Sequence, residues 1–301
     1  MRQVQARELT LELPHTRLAA RAWGDPSLPP LLALHGWLDN AASFDAIAPM
    51  LSEHFHFVAL DFAGHGRSDH AHPGIAYRFV DGVFDVFAAA DALEWEKFDL
   101  LGHSMGGAIA SLTAAACPER ILRLVAIEAL GALTTPAEQT TAQLRRGLLQ
   151  ARELSDKSLR VFENADLAIA ARMQANGLSW AAAEPLVRRG IKPVAGGYSW
   201  SSDPRLTTAS LQRFTEAQVL DLMQHIAAPT LLILAPDSSV RPVPDAAFAA
   251  RVAAVPQIAV RQIAGGHHLH LENPLPVTQA LLDFLLREAA HETAPADTAQ
   301  A

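Results

Sequence analysis

A single cysteine among 301 residues removes several possibilities at once. Cys117 cannot form an internal disulfide, which fits a reducing compartment, and its Ala-rich surroundings mark it as a small packing residue rather than a nucleophile. Cationic excess is also missing. Lysine and arginine total 24 against 32 acids, a net charge of −8. That leaves no basic footprint for nucleic acid or an anionic membrane surface. No apolar run reaches 18 residues, so no membrane span is expected. The opening stretch "MRQVQARELTLELP" has no signal-peptide core, which makes the cytoplasm the expected location. No repeat recurs at periods of 20–50 residues. What is present is ordinary for a globular chain: 50% hydrophobic and 19% charged residues, enough for one large α/β domain or a core with an insertion.

Strand and helix patterns alternate along most of the chain. Residues 8–13 and 17–23 read as strands around a turn at Pro14 and His15. "LLALHG" (31–36) and "FHFVALDFAGHG" are short apolar runs ending in glycine loops, as buried parallel strands require. Asn40 is placed to cap a helix reaching Leu51, with Phe44, Ile47, Ala48 and Leu51 on one face. A second helix over 80–95 has Val80, Val83, Phe84 and Phe87 as its expected stripe. "FDLLGHSMGGAIASLTAAAC" reads as strand, turn, helix, and "ILRLVAIEAL" as the next strand. From 133 to 224 only helical patterns are read, separated by irregular connections at Pro193, Gly196, Gly197 and Pro204. Alternation resumes with "PTLLILA" (229–235), a helix near 244–254, "QIAVRQIAG" (257–265) and a last helix starting at Pro274 with Asn273 as its cap. The expected architecture is α/β: a mostly parallel sheet flanked by helices, with a core of 1–132 and 225–290, an inserted helical cap of 133–224, and a disordered tail at 291–301.

"GHSMGG" (102–107) matches G-x-S-x-G between a strand and a helix. Side chains at 102 and 106 would collide with neighbouring backbone, and the turn presents Ser104 at the sheet's edge. A serine hydroxyl needs a base. "AGGHHLHLENP" (264–274) follows the last strand, and His267 comes directly after its glycines. His268 is expected to pack or face solvent, and His270 to line the pocket. "LALHGWLDN" (32–40) follows the third strand, so the backbone N–H groups of Trp37 and Met105 are expected to converge on a substrate oxygen. His35 reads as a structural hydrogen-bonder. His65 and Asp69 read as loop residues.

With "HGW", "DFAGHGRSD", "GHSMGG" and "GGHHLHLENP" in order across 31–288, the chain resembles the α/β-hydrolase fold superfamily. "LHGWLDNAASFD", "LLGHSMGGAIAS" and "SSDPRL" resemble its serine hydrolase-like branch. The resemblance implies an eight-stranded sheet, its first strands antiparallel, and a cap after strand six. It also implies an acid after strand seven, but three residues past that strand stands Ser238, with Asp237 one place early. A second position used in the superfamily is the end of strand six, where Glu128 lies. Glu128 is the favoured acid and Asp237 the alternative. Ionised at the end of an apolar strand, Glu128 needs a partner, and His267 would serve.

These residues point to a serine hydrolase acting on small or medium carboxylic esters, without a metal or organic cofactor. Acyl transfer or C–C bond hydrolysis on the same residues is the first alternative, and a non-enzymatic binding protein the second. Dehalogenation and epoxide hydrolysis do not fit, since the family's enzymes for them use aspartate where Ser104 stands. Phe162, Met173, Leu178, Trp180 and Trp200 are candidates for apolar pocket wall or for the cap's own core. Arg205 is a candidate for a substrate carboxylate or an internal acid.

Overall fold

Strands with no polar face must be covered on both sides, and that requirement shapes the core. The computed structural model describes residues 5–154, 159–240 and 243–287. In β3 (Pro30–Leu34), Leu32 and Leu34 join one apolar cluster while Leu31 and Ala33 join another on the opposite face. β1 (Arg7–Glu12), β2 (Arg17–Trp23), β4 (His56–Leu60), β5 (Phe98–His103), β6 (Ile121–Ile127), β10 (Thr230–Leu234) and β11 (Ile258–Gln262) complete an eight-stranded sheet in the order β1-β2-β4-β3-β5-β6-β10-β11. β2 pairs antiparallel with both neighbours, and all later pairs are parallel.

One face carries α2 (Asp81–Ala92), α3 (Met105–Ala116), α7 (Glu216–Gln224) and α8 (Asp245–Ala254). The other carries a 3-10 turn (Ala41–Phe44), α1 (Ala48–Leu51), α9 (Leu269–Glu272) and α10 (Pro274–Leu285). Val219 and Met223 of α7 lie in the main cluster. That helix, read from sequence as part of the insertion, therefore packs with the core.

Three further readings need correction. Asn40 caps as expected, accepting from the Ala42 N–H, but the element it starts is a 3-10 turn followed by a separate short helix, with Pro49 at the start of α1. The expected stripe of α2 holds only in part: Val83 packs against the main cluster, but Val80 and Phe84 are exposed. Gly82, Asp85, Val86, Ala89 and Ala90 are its buried residues, while Phe84 is 70% exposed. Small residues let α2 approach α3 closely: a Cβ on Gly82 would lie 2.6 Å from Ile109 Cδ1. Asn273 makes no side-chain cap; its amide donates to the Ala264 carbonyl at 3.0 Å. The tail at 291–301 lies outside the described residues.

The segment between β6 and α7 contains α4 (Thr140–Leu154), α5 (Ala165–Asn176) and α6 (Trp180–Gly190). It also contains strands that the sequence reading missed: β7 (Val161–Phe162), β8 (Ile191–Val194) and β9 (Gly197–Trp200), paired antiparallel as β7-β9-β8. Phe162, Leu178, Met173 and Trp200 gather into this segment's own small core with Ile169 and Leu186.

Buried polar pairs attach the segment to the sheet domain. Arg189 donates to both oxygens of Asp61 at 3.0 Å and to Glu8 at 2.7 Å. Asn40 donates to the Leu186 carbonyl at 2.8 Å, and Arg172 pairs with Asp39. Arg205 binds Asp203 and the carbonyls of His72 and Ile75, so the internal acid is its partner.

Candidate active site

Ser104 sits where β5 ends and α3 begins, with φ 51° and ψ −115°. Non-glycine residues rarely enter that region, and the local packing requires it here. A Cβ on Gly102 would lie 2.3 Å from the Gly106 carbonyl oxygen, and one on Gly106 would lie 2.1 Å from that of Leu34. The two glycines thus allow β3, β5 and α3 to close around the turn. Among the described residues four non-glycines have positive φ, and three belong to this region: Leu38, Ser104 and Glu128.

The sheet's C-terminal edge brings the three expected side chains together. His267 Nε2 lies 2.9 Å from Ser104 Oγ, and His267 Nδ1 lies 3.2 Å from Glu128 Oε2. Burial raises the Glu128 carboxyl, but hydrogen bonds from His267, from the Ala235 N–H at 2.6 Å and from the Ser238 side chain outweigh it. The net direction is below the ordinary glutamate value, so Glu128 is a carboxylate at neutral pH. An ionised Glu128 accepts from Nδ1–H, which leaves Nε2 free to accept the Ser104 proton. Asp237 is exposed and makes no hydrogen bond or ion pair with His267. Ser238, at the position where an acid was expected, instead donates to Glu128.

Trp37 and Met105 both face the same cavity as Ser104 and Glu128. Neither of their backbone N–H groups has a hydrogen-bond partner among the described residues. The Trp37 indole is held by donating to the Leu206 carbonyl at 3.0 Å. His35 accepts from the Phe62 N–H at 3.1 Å and donates to the Gly36 carbonyl at 2.7 Å, a structural role. His65 bonds to the Ala63 carbonyl, and Asp69 pairs with Arg17.

Behind His267 lies a polar cluster that sequence reasoning did not find. The fully buried His103 contacts the rings of His267, His268 and His270. Burial, then the neighbouring His270 and His268, push its pKa far down, so the ring is neutral. Its Nε2–H donates to the His267 carbonyl at 2.8 Å and fixes that loop from behind. His268 is buried rather than solvent-facing, with Nε2 3.5 Å from Asp39 Oδ2. His270 is fully buried against Ser43 Oγ at 2.9 Å and does not line the cavity. Burial opposes ionisation of Asp39, but His268 and Arg172 prevail and hold its carboxyl far below the ordinary range. Asp39, His103 and His268 have ligand atoms within 4.8 Å of one another, a spacing that suits a metal ion. The Arg172 guanidinium already neutralises that carboxylate, so a dication there would face a neighbouring positive charge. The signal for this cluster in the sequence was His103 itself, the variable residue just before Ser104 in the glycine motif.

A cavity of ≈ 2090 Å³ opens beside Ser104. Its walls come from both regions of the molecule: Phe62, Phe79 and Leu130 from the core, Leu148 and Leu206 from the inserted segment. The aromatic residues considered from sequence as pocket wall, Phe162, Trp180 and Trp200, do not contribute to it. Among the described residues no helix is long and apolar enough to cross a membrane.

The family model for the alpha/beta hydrolase fold matches residues 29–274. A zebrafish (Danio rerio) serine hydrolase-like protein is 30% identical over 297 residues, 96% of this chain and 91% of that one. Human serine hydrolase-like protein 2 is 35% identical over 76% of this chain and 74% of its own length. The crystal structure of a hypothetical protein from Pseudomonas aeruginosa PAO1 superposes with a TM-score of 0.87 at 40% identity, covering 93% of this chain and 99% of that one. The thioesterase domain from the curacin biosynthetic pathway shares the fold, with a TM-score of 0.80 at 24% identity over 92% of this chain and 99% of that one. Sheet order, nucleophile turn and relatives agree: this chain belongs to the α/β-hydrolase fold family, in its serine hydrolase-like branch.

Proposed function

We propose that this protein hydrolyses small to medium carboxylic esters through a triad of Ser104, His267 and Glu128. The observation that carries the reading is the unbroken contact line from Ser104 Oγ through the imidazole to the Glu128 carboxylate, at 2.9 and 3.2 Å. Ser104 Oγ attacks the carbonyl carbon while His267 Nε2 takes its proton. Charge moves to the carbonyl oxygen, where the unpartnered N–H groups of Trp37 and Met105 receive it. Each such donor is worth about 3 kcal/mol in the transition state. The positive end of α3, a helix of 12 residues, lies behind the same oxygen. Imidazolium then returns the proton to the leaving alkoxide, and the C–O bond breaks. Water attacks the acyl-enzyme with His267 again as base. Throughout, Glu128 holds the Nδ1–H tautomer and offsets the positive ring.

In this reading the inserted segment is a cap that forms one wall of the substrate cavity. A fluorophosphonate probe tests the activated serine: wild type is expected to label and Ser104→Ala not to. Turnover of short p-nitrophenyl esters then tests the reaction class. Absence of labelling in the folded wild-type protein would defeat the proposal.

A further inference from the structure

The cavity beside Ser104 is at least twice the ~300–1,000 Å³ of common ligand pockets. An unsubstituted short ester would leave most of it unfilled. Its walls are largely apolar, yet among the described residues five arginines reach it: Arg78, Arg146, Arg205, Arg213 and Arg251. Three are matched by acids. Arg78 pairs with Asp81 at 2.8 Å, Arg205 with Asp203 at 2.6 Å, and Arg251 with Glu216 at 2.7 Å. Arg146 and Arg213 have no ion pair or hydrogen bond among the described residues.

These two arginines are held on elements that are fastened to each other. Gln143 of α4 donates to the Ser210 carbonyl, and Gln150 one face further along accepts from the Ala209 N–H at 2.7 Å. Between them Gly147 permits close approach, because a Cβ there would lie 2.8 Å from the Ala209 carbonyl oxygen. Arg146 therefore stands on the α4 turn that is clamped to 209–211, and Arg213 follows two residues later. Burial, then the charge of Arg146, lower the pKa of half-buried Arg213, and among the described residues no carboxylate counters them. The cavity's other acids are engaged elsewhere: Asp85 with His15 and Glu128 with His267, while Asp245 makes no ion pair with either arginine. Arg146 is exposed and Arg213 half-buried, so water screens the repulsion between them only in part, and an anion between the two would relieve the rest. A guanidinium fork suits the planar or tetrahedral oxygens of carboxylate and phosphate.

We propose that Arg146 and Arg213 form an anion-binding subsite of this cavity, and that the substrate is an ester whose apolar chain carries a carboxylate or phosphate remote from the cleaved bond. The substrate class rests on the hydrolase reading. The subsite itself does not, because it can be tested by binding alone.

Two measurements separate the claims. Binding is read by calorimetry on Ser104→Ala with inert amides: adipic acid monoanilide, its methyl ester, and 6-phosphohexanoic anilide. Turnover is read on wild type with the corresponding 4-nitrophenyl esters. The expected result is tighter binding of an anionic amide than of the neutral one by about tenfold or more, as charge-assisted hydrogen bonds supply. The preference should weaken with salt, fall in Ser104→Ala/Arg213→Gln and Ser104→Ala/Arg146→Gln, and survive in part in Ser104→Ala/Arg213→Lys. The stronger of the carboxylate and phosphate arms names the group. Equal binding of charged and neutral amides, or a preference that neither Gln substitution changes, would overturn the subsite. Ester turnover together with equal binding of charged and neutral amides would leave the hydrolase reading intact and remove the subsite. Arginine-dependent binding without any ester turnover would do the reverse.

Discussion

In the sheet, all five residues of β4 and all six of β5 are buried, and the clusters on the two faces are almost entirely apolar. In the inserted segment, α4 buries only Gly147 and α5 only Ala168 and Ile169. The sheet is held by removal of apolar surface from water, which is non-directional and spread over many side chains. The inserted segment is held at a few points by Arg172, Arg189 and Arg205, aimed at carboxylates and carbonyls of the core, and by the core's Asn40, which donates to the Leu186 carbonyl.

Breaking each region at its own weak point gives the largest effects. Phe57→Ala is expected to cost about 4 kcal/mol in urea denaturation, because the ring is fully buried between Trp23 and Phe44. Arg189→Met removes the cation from the fully buried Asp61 and should cost roughly 3 kcal/mol. The double variant Arg189→Met/Asp61→Asn should recover part of that. Hydrogen exchange distinguishes the two cases. The arginine variant should open α6 well before β5, while the core variant should lower protection in both.

Asp99 sharpens the comparison, since it is a polar group misplaced in the apolar region. Burial pushes its carboxyl up to about 7, against which Arg123 at 3.7 Å acts only weakly. A folded pKa above the unfolded one means the aspartate destabilises the fold increasingly as pH rises from about 4 to 7, and fully above 7. Asp99→Asn should therefore stabilise by about 2 kcal/mol at pH 8, with the gain vanishing near pH 4, as read by thermal melts across pH. A smaller effect belongs to Ser238→Ala. Loss of one donor to Glu128 is worth about 1 kcal/mol, so ester turnover should fall about fivefold with stability nearly unchanged.

The same contrast explains what could be read from the sequence. Core strands announce themselves as apolar runs between glycine loops, and Ser104, Glu128 and His267 stand at the ends of such runs, so their meeting point followed from chain order. The hairpin of β8 and β9 was missed because its strands have four residues each, with Pro193 inside one, Gly196 at the turn and Gly197 opening the other, and these read as irregular connection. The α2 stripe failed because Val80 and Phe84 face the cavity, which a periodicity argument cannot distinguish from a core, and only Val83 packs against the main cluster. The partners of Arg172, Arg189 and Arg205 lie 133, 128 and 2 residues away, so only the last pair falls within a local window. His103 supports the His267 loop across 164 residues, a relation no local pattern carries.

The central claim is that the carboxylate at the end of β6 serves the histidine, while the aspartate after β10 does not. Steady-state turnover of p-nitrophenyl butyrate by Glu128→Gln and Asp237→Asn tests it most directly. A misheld imidazole should lower kcat by about 10³–10⁴-fold in Glu128→Gln, while Asp237→Asn should remain within about twofold of wild type, since a surface aspartate without a contact contributes little. Full activity in Glu128→Gln with loss in Asp237→Asn would contradict the account.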